Sequence, residues 1–210
     1  MDSSGIVGIY LAAGKSRRMG INKLNLPLDQ EYLGSKAFRV ALESKLDSTI
    51  AVTRQGDSLH WLAPFSKIKG WSRVYADGGQ SASLKAGVKA AVELGVEGVV
   101  VMLADQPLVP AGLINRLVDE FQKSHGDFYI SFLHKGIVSP PILLAKQLFL
   151  DLMELDGDQG ARDLIRGVWK DKGRQIEIED ETYFFDVDTM EDYHLLLESH
   201  YNNNSPDRLL

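Results

Sequence analysis

Stretches in which nearly every position is apolar alternate along the chain with stretches in which apolar positions recur every three to four residues, and these two rhythms predict buried strands and amphipathic helices. Ile6 to Leu11 is the first apolar run and reads as a buried strand. Thr49 to Thr53, Ser72 to Ala76 and Gly98 to Leu103 follow; the last is continuously apolar, the pattern of a central parallel strand covered on both faces. Phe128 to Leu133 and Gln175 to Ile178 complete the predicted strands, and Tyr183 to Val187 reads as extended. Helical spacing covers Ser35 to Lys45, Leu84 to Val92, Ala111 to Lys123, Ala145 to Leu155 and Ala161 to Lys170, while Leu59 to Leu62 reads as a short helix stopped by Pro64. Thr189 is placed to cap a last helix, with Asp192 three residues on. Strands alternating with helices predict one α/β domain, a Rossmann-like three-layer sandwich around a mostly parallel sheet. Its expected extent is 1–198, with residues 1–5 a frayed end and 199–210 a flexible C-terminal tail.

Composition narrows the function classes. At 210 residues the chain suits one full core better than two small ones. A hydrophobic content of 44% and a charged content of 25% are those of an ordinary globular protein. The net charge of −6 argues against a general binder of nucleic acid or membrane surfaces, which needs a basic field. Local clusters of cations are informative against that background. The absence of cysteine excludes disulfides, thiolate catalysis and thiolate-held metals, and neither a signal-peptide pattern nor a membrane-length apolar stretch is read, so the expected location is the cytoplasm. His60, His125, His134, His194 and His200 lack zinc-site spacing, and Trp61, Trp71 and Trp169 are expected to pack rather than to stack on bases.

Basic character gathers directly after the first strand. Ala12, Ala13 and Gly14 allow the backbone to approach a ligand closely, and Lys15, Arg17, Arg18 and Lys23 follow within nine residues. Arg18 offers a planar fork of donors to phosphate oxygens; Lys23 offers a compact charge that can follow a reacting phosphoryl group. The alternative is a solvated basic cluster on a strand-to-helix turn. Asp77 to Ser83 follows the third strand, where free N–H groups and hydroxyls suit base edges or phosphates, or where Ser81 or Ser83 simply caps the helix. Asp105 follows the fourth strand and Asp188 precedes the last helix. Ligands of doubly wound folds sit beyond the carboxyl ends of the strands, so these segments are expected to share one crevice. Asp105 and Asp188 are then candidate ligands for Mg²⁺, which favours one or two carboxylates beside water and phosphate oxygens; each alone is equally readable as a cap. Asp186, expected on the same face as Asp188, is a candidate partner behind them.

The string L-A-A-G-K-S-R-R-M-G from Leu11 to Gly20, with Lys23 three residues beyond, resembles the signature of nucleotidyltransferases that attach CMP or GMP to the phosphate of molybdopterin. L-A-A-G is more similar to the molybdenum cofactor cytidylyltransferases than to the guanylyl branch, which usually reads L-A-G-G. The start I-V-G-I-Y-L-A-A-G resembles accessory proteins of xanthine dehydrogenase. G-Q-S-A-S-L from Gly79, A-D-Q-P from Ala104, the segment Asp156 to Arg162 and D-V-D-T from Asp186 fall in the family's order, so the likeness spans roughly residues 5 to 195. It implies a fold of the nucleotide-diphospho-sugar transferase type. It also implies a nucleotide site built from Leu11, Ala12, Ala13, Gly14, Lys15, Ser16, Arg18, Met19, Gly20, Lys23, Gly79, Ser81, Ser83 and Ala104. Catalysis is implied for Lys23, Arg18 and Asp105, and Mg²⁺ binding for Asp105 and Asp188. Arg162 is implied to grip the acceptor phosphate, with an ion pair to Asp158 or Asp163 as the alternative. Ser139 stands where many relatives carry His before proline, and so takes the acceptor-binding position. The implied reaction transfers CMP from CTP to molybdopterin with release of pyrophosphate, with transient contact to a xanthine dehydrogenase-type apoenzyme or its chaperone, and with no nucleic acid and no membrane. A guanylyl or sugar-1-phosphate nucleotidyltransferase is the alternative within the same chemistry, and a non-catalytic cofactor carrier the alternative outside it.

Overall fold

The computed structural model describes residues 5–124 and 126–204, with 200–204 described by backbone alone. Residues 1–4 of the expected frayed end, His125, the ring of His200 and residues 205–210 of the expected tail lie outside the described residues. In chain order, β1 (Ile6–Ala12) leads through a 3-10 turn (Lys23–Asn25) to a small hairpin, β2 (Pro27–Leu28) and β3 (Glu31–Tyr32), about the expected Asp29-Gln30 turn. α1 (Leu33–Leu42), β4 (Ser48–Thr53), a 3-10 helix (His60–Phe65), β5 (Trp71–Tyr75), α2 (Gln80–Glu93), β6 (Gly98–Leu103) and α3 (Ala111–Lys123) follow. The second half holds β7 (Tyr129–His134), β8 (Ile137–Ala145), α4 (Phe149–Met153), α5 (Ala161–Arg166), β9 (Arg174–Glu177), a 3-10 helix (Glu181–Phe184) and α6 (Met190–Asn204). The last helix therefore extends through 204.

One seven-stranded sheet in the order β5-β4-β1-β6-β8-β7-β9 organises the molecule, and β8 alone runs antiparallel to its neighbours. β1 lies between β4 and β6, with Ala12 level with Thr53 and Leu11 level with Leu103. The segments leaving β1, β4 and β6 therefore open on the same edge. Alternation along β1 sends Ile6, Tyr10 and Ala12 into one apolar layer and Val7, Ile9 and Ala13 into the other, which is why its sequence is apolar throughout. The sandwich and the mostly parallel sheet are as the alternation of elements predicts.

Several boundaries differ from the periodicity reading. Ile137 to Ala145 is a long strand, not a lead-in to a helix beginning at Ala145; its apolar run Ile142-Leu143-Leu144-Ala145 pairs with β6 down to Gly98. Pro140 and Pro141 fall where the β7–β8 register slips, so the ladder loses no donor it needs. Helix α5 stops at Arg166 because Gly167 turns the chain, its N–H donating to the carbonyls of Asp163 and Leu164. Pro64 lies inside the 3-10 helix instead of ending it. Tyr183 belongs to a 3-10 turn, Phe185 after it is extended, and no strand forms over 185–188. Among the described residues no helix is long and apolar enough to cross a membrane.

Phe38 anchors the layer beneath the basic loop. It is fully buried, with ring centroids of Phe65 at 5.0 Å, Tyr10 at 5.2 Å, Trp71 at 5.4 Å and Trp61 at 5.8 Å. Phe38→Ala is expected to cost about 3–5 kcal/mol of stability, read from urea unfolding; a loss below about 1 kcal/mol would contradict this placement of the core.

Candidate active site

The chain leaves β1 at Ala12, keeps Ala13 buried, and turns outward at Gly14. The N–H groups of Met19 and Gly20 both donate to the Ser16 carbonyl at 3.1 Å, closing a tight turn in which Ser16 (φ 44°) and Gly20 (φ 69°) take left-handed backbone. Lys23 is then fixed from both flanks. Asn22 caps the 3-10 turn by accepting from the Leu24 N–H at 3.1 Å, and the Asn22 and Asn25 amides donate to the Ser58 carbonyl at 3.2 and 2.9 Å. The Asn25 side-chain oxygen accepts from the Trp61 N–H at 3.2 Å. With the backbone pinned to the segment 58–61, the Lys23 side chain runs inward and is only 9% exposed.

Its ammonium meets two carboxylates. Lys23 Nζ donates to Asp105 Oδ2 at 2.7 Å and to Asp188 Oδ1 at 2.9 Å, and Arg18 Nη1 donates to Asp188 Oδ2 at 3.0 Å. Burial alone lowers the Lys23 pKa, but the charge of Asp105 and the hydrogen bonds to Asp105 and Asp188 outweigh it, so the net shift is upward and the ammonium is retained. Backbone bonds hold the three segments together: the Ala104 N–H donates to Leu11 O at 3.1 Å and the Val187 N–H to Asp105 O at 2.9 Å. Asp192 locks the acidic turn, its Oδ2 accepting from the Asp188 N–H at 3.0 Å, the Thr189 N–H at 2.8 Å and the Thr189 hydroxyl at 2.9 Å. The Thr189 hydroxyl oxygen accepts from the Asp192 N–H at 3.1 Å, which completes the expected cap. Asp186 stands beside the pair. Removal from water and then the charge of Asp105 raise its pKa to about 6.

The remaining site candidates fall into two groups. Gly79 starts α2 where a Cβ would come within 2.6 Å of the Gly157 carbonyl oxygen, so only glycine lets these segments touch. The Ser81 hydroxyl donates to Gly157 O at 2.8 Å and the Ser83 hydroxyl to Gly79 O at 3.4 Å; neither caps the helix. Arg162 forms no ion pair among the described residues, and Asp163 is spent on the Gly160 N–H at 2.8 Å. Arg162 and Gln80 are instead the polar lining of a pocket whose walls include Leu11, Leu84, Leu103 and Pro140. Ser139 is buried opposite Phe132 in β8, one residue back from that wall. Lys15 and Arg17 are exposed and form no ion pair among the described residues.

Sequence reasoning assigned no role to Asn22, Asn25, Gln80 or to the wholly buried Gln106 behind Asp105. The last two lay inside motifs already singled out, but an uncharged amide carries no signal of its own. Among the described residues no three His, Cys, Asp or Glu side chains form a ready-made metal cage. Asp105 and Asp188 are two carboxylates within hydrogen-bond reach of one nitrogen, the limited donor set that Mg²⁺ or Mn²⁺ uses when phosphate oxygens and water supply the rest.

Residues 8–176 match the family model described as the MobA-like NTP transferase domain. The chain is 38% identical over 206 residues to the purine catabolism protein PucB of Bacillus subtilis, covering 93% of this chain and 98% of that one. A probable molybdenum cofactor guanylyltransferase of Opitutus terrae is 28% identical over 125 residues, 60% of each chain. Among solved structures, Rv0371c of Mycobacterium tuberculosis H37Rv is 27% identical with a TM-score of 0.80, over 94% of this chain and all of that one. Its complex with manganese gives 26% and 0.73, over 92% and 98%. With most of its length matched by the family model and nearly all of it by a relative above one-third identity, the chain belongs to the MobA-like NTP transferase family and is a nucleotidyltransferase.

Proposed function

We propose that the chain transfers CMP from CTP to the terminal phosphate of molybdopterin and releases pyrophosphate. The observation that carries this reading is the Lys23 ammonium held between Asp105 and Asp188 at the carboxyl edge of the sheet, with Arg18 on the outer oxygen of Asp188. The name of one relative, a probable molybdenum cofactor guanylyltransferase, supports the acceptor class. In the reaction an acceptor phosphate oxygen bonds to the α-phosphorus while the bond to pyrophosphate breaks. That oxygen is already anionic at neutral pH, so the chain needs no strong base, and its task is positioning and charge neutralisation.

In this reading each residue takes a part that its place allows. The backbone at Ala13 and Gly14 lies against the phosphates, Arg18 spans two of their oxygens, and Lys23 follows the charge that accumulates on the departing pyrophosphate. Arg162 grips the acceptor phosphate from the far side, and Leu11, Leu84, Leu103 and Pro140 offer an apolar wall to a flat ring. Asp105 and Asp188 would hold Mg²⁺, which supplies charge neutralisation at the triphosphate. The manganese complex of the mycobacterial relative supports a divalent cation in this fold. Ala13, buried just beyond β1, places a Cβ where the guanylyl branch has glycine, and this narrowing favours a pyrimidine base. The cytoplasm, with access to a xanthine dehydrogenase-type apoenzyme or its chaperone, suits a cysteine-free acidic chain of this kind.

Lys23→Ala and Asp105→Ala are each expected to lower turnover by about 10²–10³-fold or more with an unchanged far-ultraviolet circular dichroism spectrum. Activity within a few-fold of wild type in either variant would remove its assigned role. In side-by-side assays of pyrophosphate release with CTP, GTP and ATP, CTP is expected to lead, and a preference for GTP would overturn the base assignment. Tight pterin binding without magnesium-dependent pyrophosphate release would instead favour the carrier alternative.

A further inference from the structure

The charged groups that the proposed reaction needs are paired with one another. Arg18, Asp188, Lys23 and Asp105 form a continuous ladder of charges joined by bonds of 3.0, 2.9 and 2.7 Å. Three of the four oxygens on the two aspartates are engaged by these cations. A divalent cation would bond those oxygens at about 2.0–2.1 Å, so it cannot take them while the ammonium remains between them. The two cations also offset the charge of the two carboxylates they contact, which weakens the pull of that pair on a further cation.

The same geometry shows what would release them. Arg18 is 72% exposed on a loop whose Gly14 and Gly20 have no neighbours against the space a Cβ would fill, so the arginine is free to turn. The Lys23 backbone is pinned at Asn22 and Asn25, so release of its ammonium would be a movement of the four-carbon stem alone. A triphosphate carries several negative charges and would compete for both cations.

We infer that Lys23 and Arg18 act as an electrostatic latch, which closes Asp105 and Asp188 to a divalent cation until a nucleoside triphosphate draws both cations onto its own oxygens. Nucleotide and cation then bind with positive coupling, and by linkage each raises the affinity of the other by the same factor. The inference rests on the reading above that these two aspartates hold the cation. Coupling of roughly tenfold is expected, within the usual 5–150-fold range of such effects.

The test titrates the full chain with Mn²⁺ and reads free ion by electron paramagnetic resonance. Without nucleotide, Lys23→Met is expected to bind Mn²⁺ at least about fivefold more tightly than wild type, Arg18→Gln to shift the same way by less, and Asp105→Asn to remove the gain in the Lys23→Met background. With α,β-methylene-CTP, which cannot be transferred, wild type should gain about tenfold beyond the affinity of the analogue alone for Mn²⁺, and Lys23→Met should gain less. Thermal melts confirm folding; the exposed Arg18→Gln carries the test should Lys23→Met not fold. Unchanged or weaker Mn²⁺ binding in the folded cation variants would overturn the latch, and loss of Mn²⁺ binding by Asp105→Asn in the analogue complex would then leave the metal assignment standing. No effect of Asp105→Asn under any condition would overturn both.

Discussion

A nearly buried ammonium between two carboxylates is the constraint around which the chain is arranged. Taking Lys23 out of water costs several kcal/mol, and only close, well-directed partners offset that cost. The partners come from positions far apart in sequence, 82 and 165 residues beyond Lys23. An exposed ion pair would fix little, and the Arg18–Asp188 contact taken alone is of that kind. The Lys23 contacts differ because losing one partner leaves an enclosed charge exposed to the other. They therefore demand that the loop after β1, the turn after β6 and the turn before α6 stay in register.

The sheet meets that demand by ending β1 and β6 at the same level. Leu11 pairs with Leu103, the Ala104 N–H reaches back to Leu11, and the Val187 N–H closes onto Asp105. On the other side of the crevice, Gly79 and Ser81 press the start of α2 against Gly157, which brings the segment carrying Arg162 to the same pocket as Gln80 and Leu11. The cationic loop and the acidic pair thus meet at the carboxyl edge of the sheet, with Arg162 in the pocket beside Leu11, while the apolar layers beneath carry the cost of holding them there. Polyphosphate chemistry suits such a division, since it asks little of proton transfer and much of fixed charge.

Much of this was legible before any coordinates, for identifiable reasons. β1 and β6 announce themselves because a strand covered on both faces must be apolar throughout, and the residues after them are then the ones facing a ligand. Asp105 was readable for that reason, a charged residue directly beyond an apolar run, while Lys23 stood out as one of four cations in the loop after β1 and Asp188 as a second carboxylate just before the last helix. β8 was not, because Pro140 and Pro141 look like a break, and only the register slip opposite Ser131 and Phe132 shows that a strand can accommodate them. The 3-10 helices were blurred for a related reason: three to six residues give little period to detect. Asn22, Asn25 and the serine hydroxyls of α2 act through backbone carbonyls far away in sequence, so neither charge nor spacing points to their partners.

The most direct measurement is a crystal structure of the chain with magnesium and a non-transferable CTP analogue. The arrangement described here predicts a cation about 2.0–2.1 Å from oxygens of both Asp105 and Asp188, with the Lys23 ammonium moved onto a phosphate oxygen. A triphosphate bound away from this edge of the sheet, with Lys23 still clasped by both carboxylates, would contradict it.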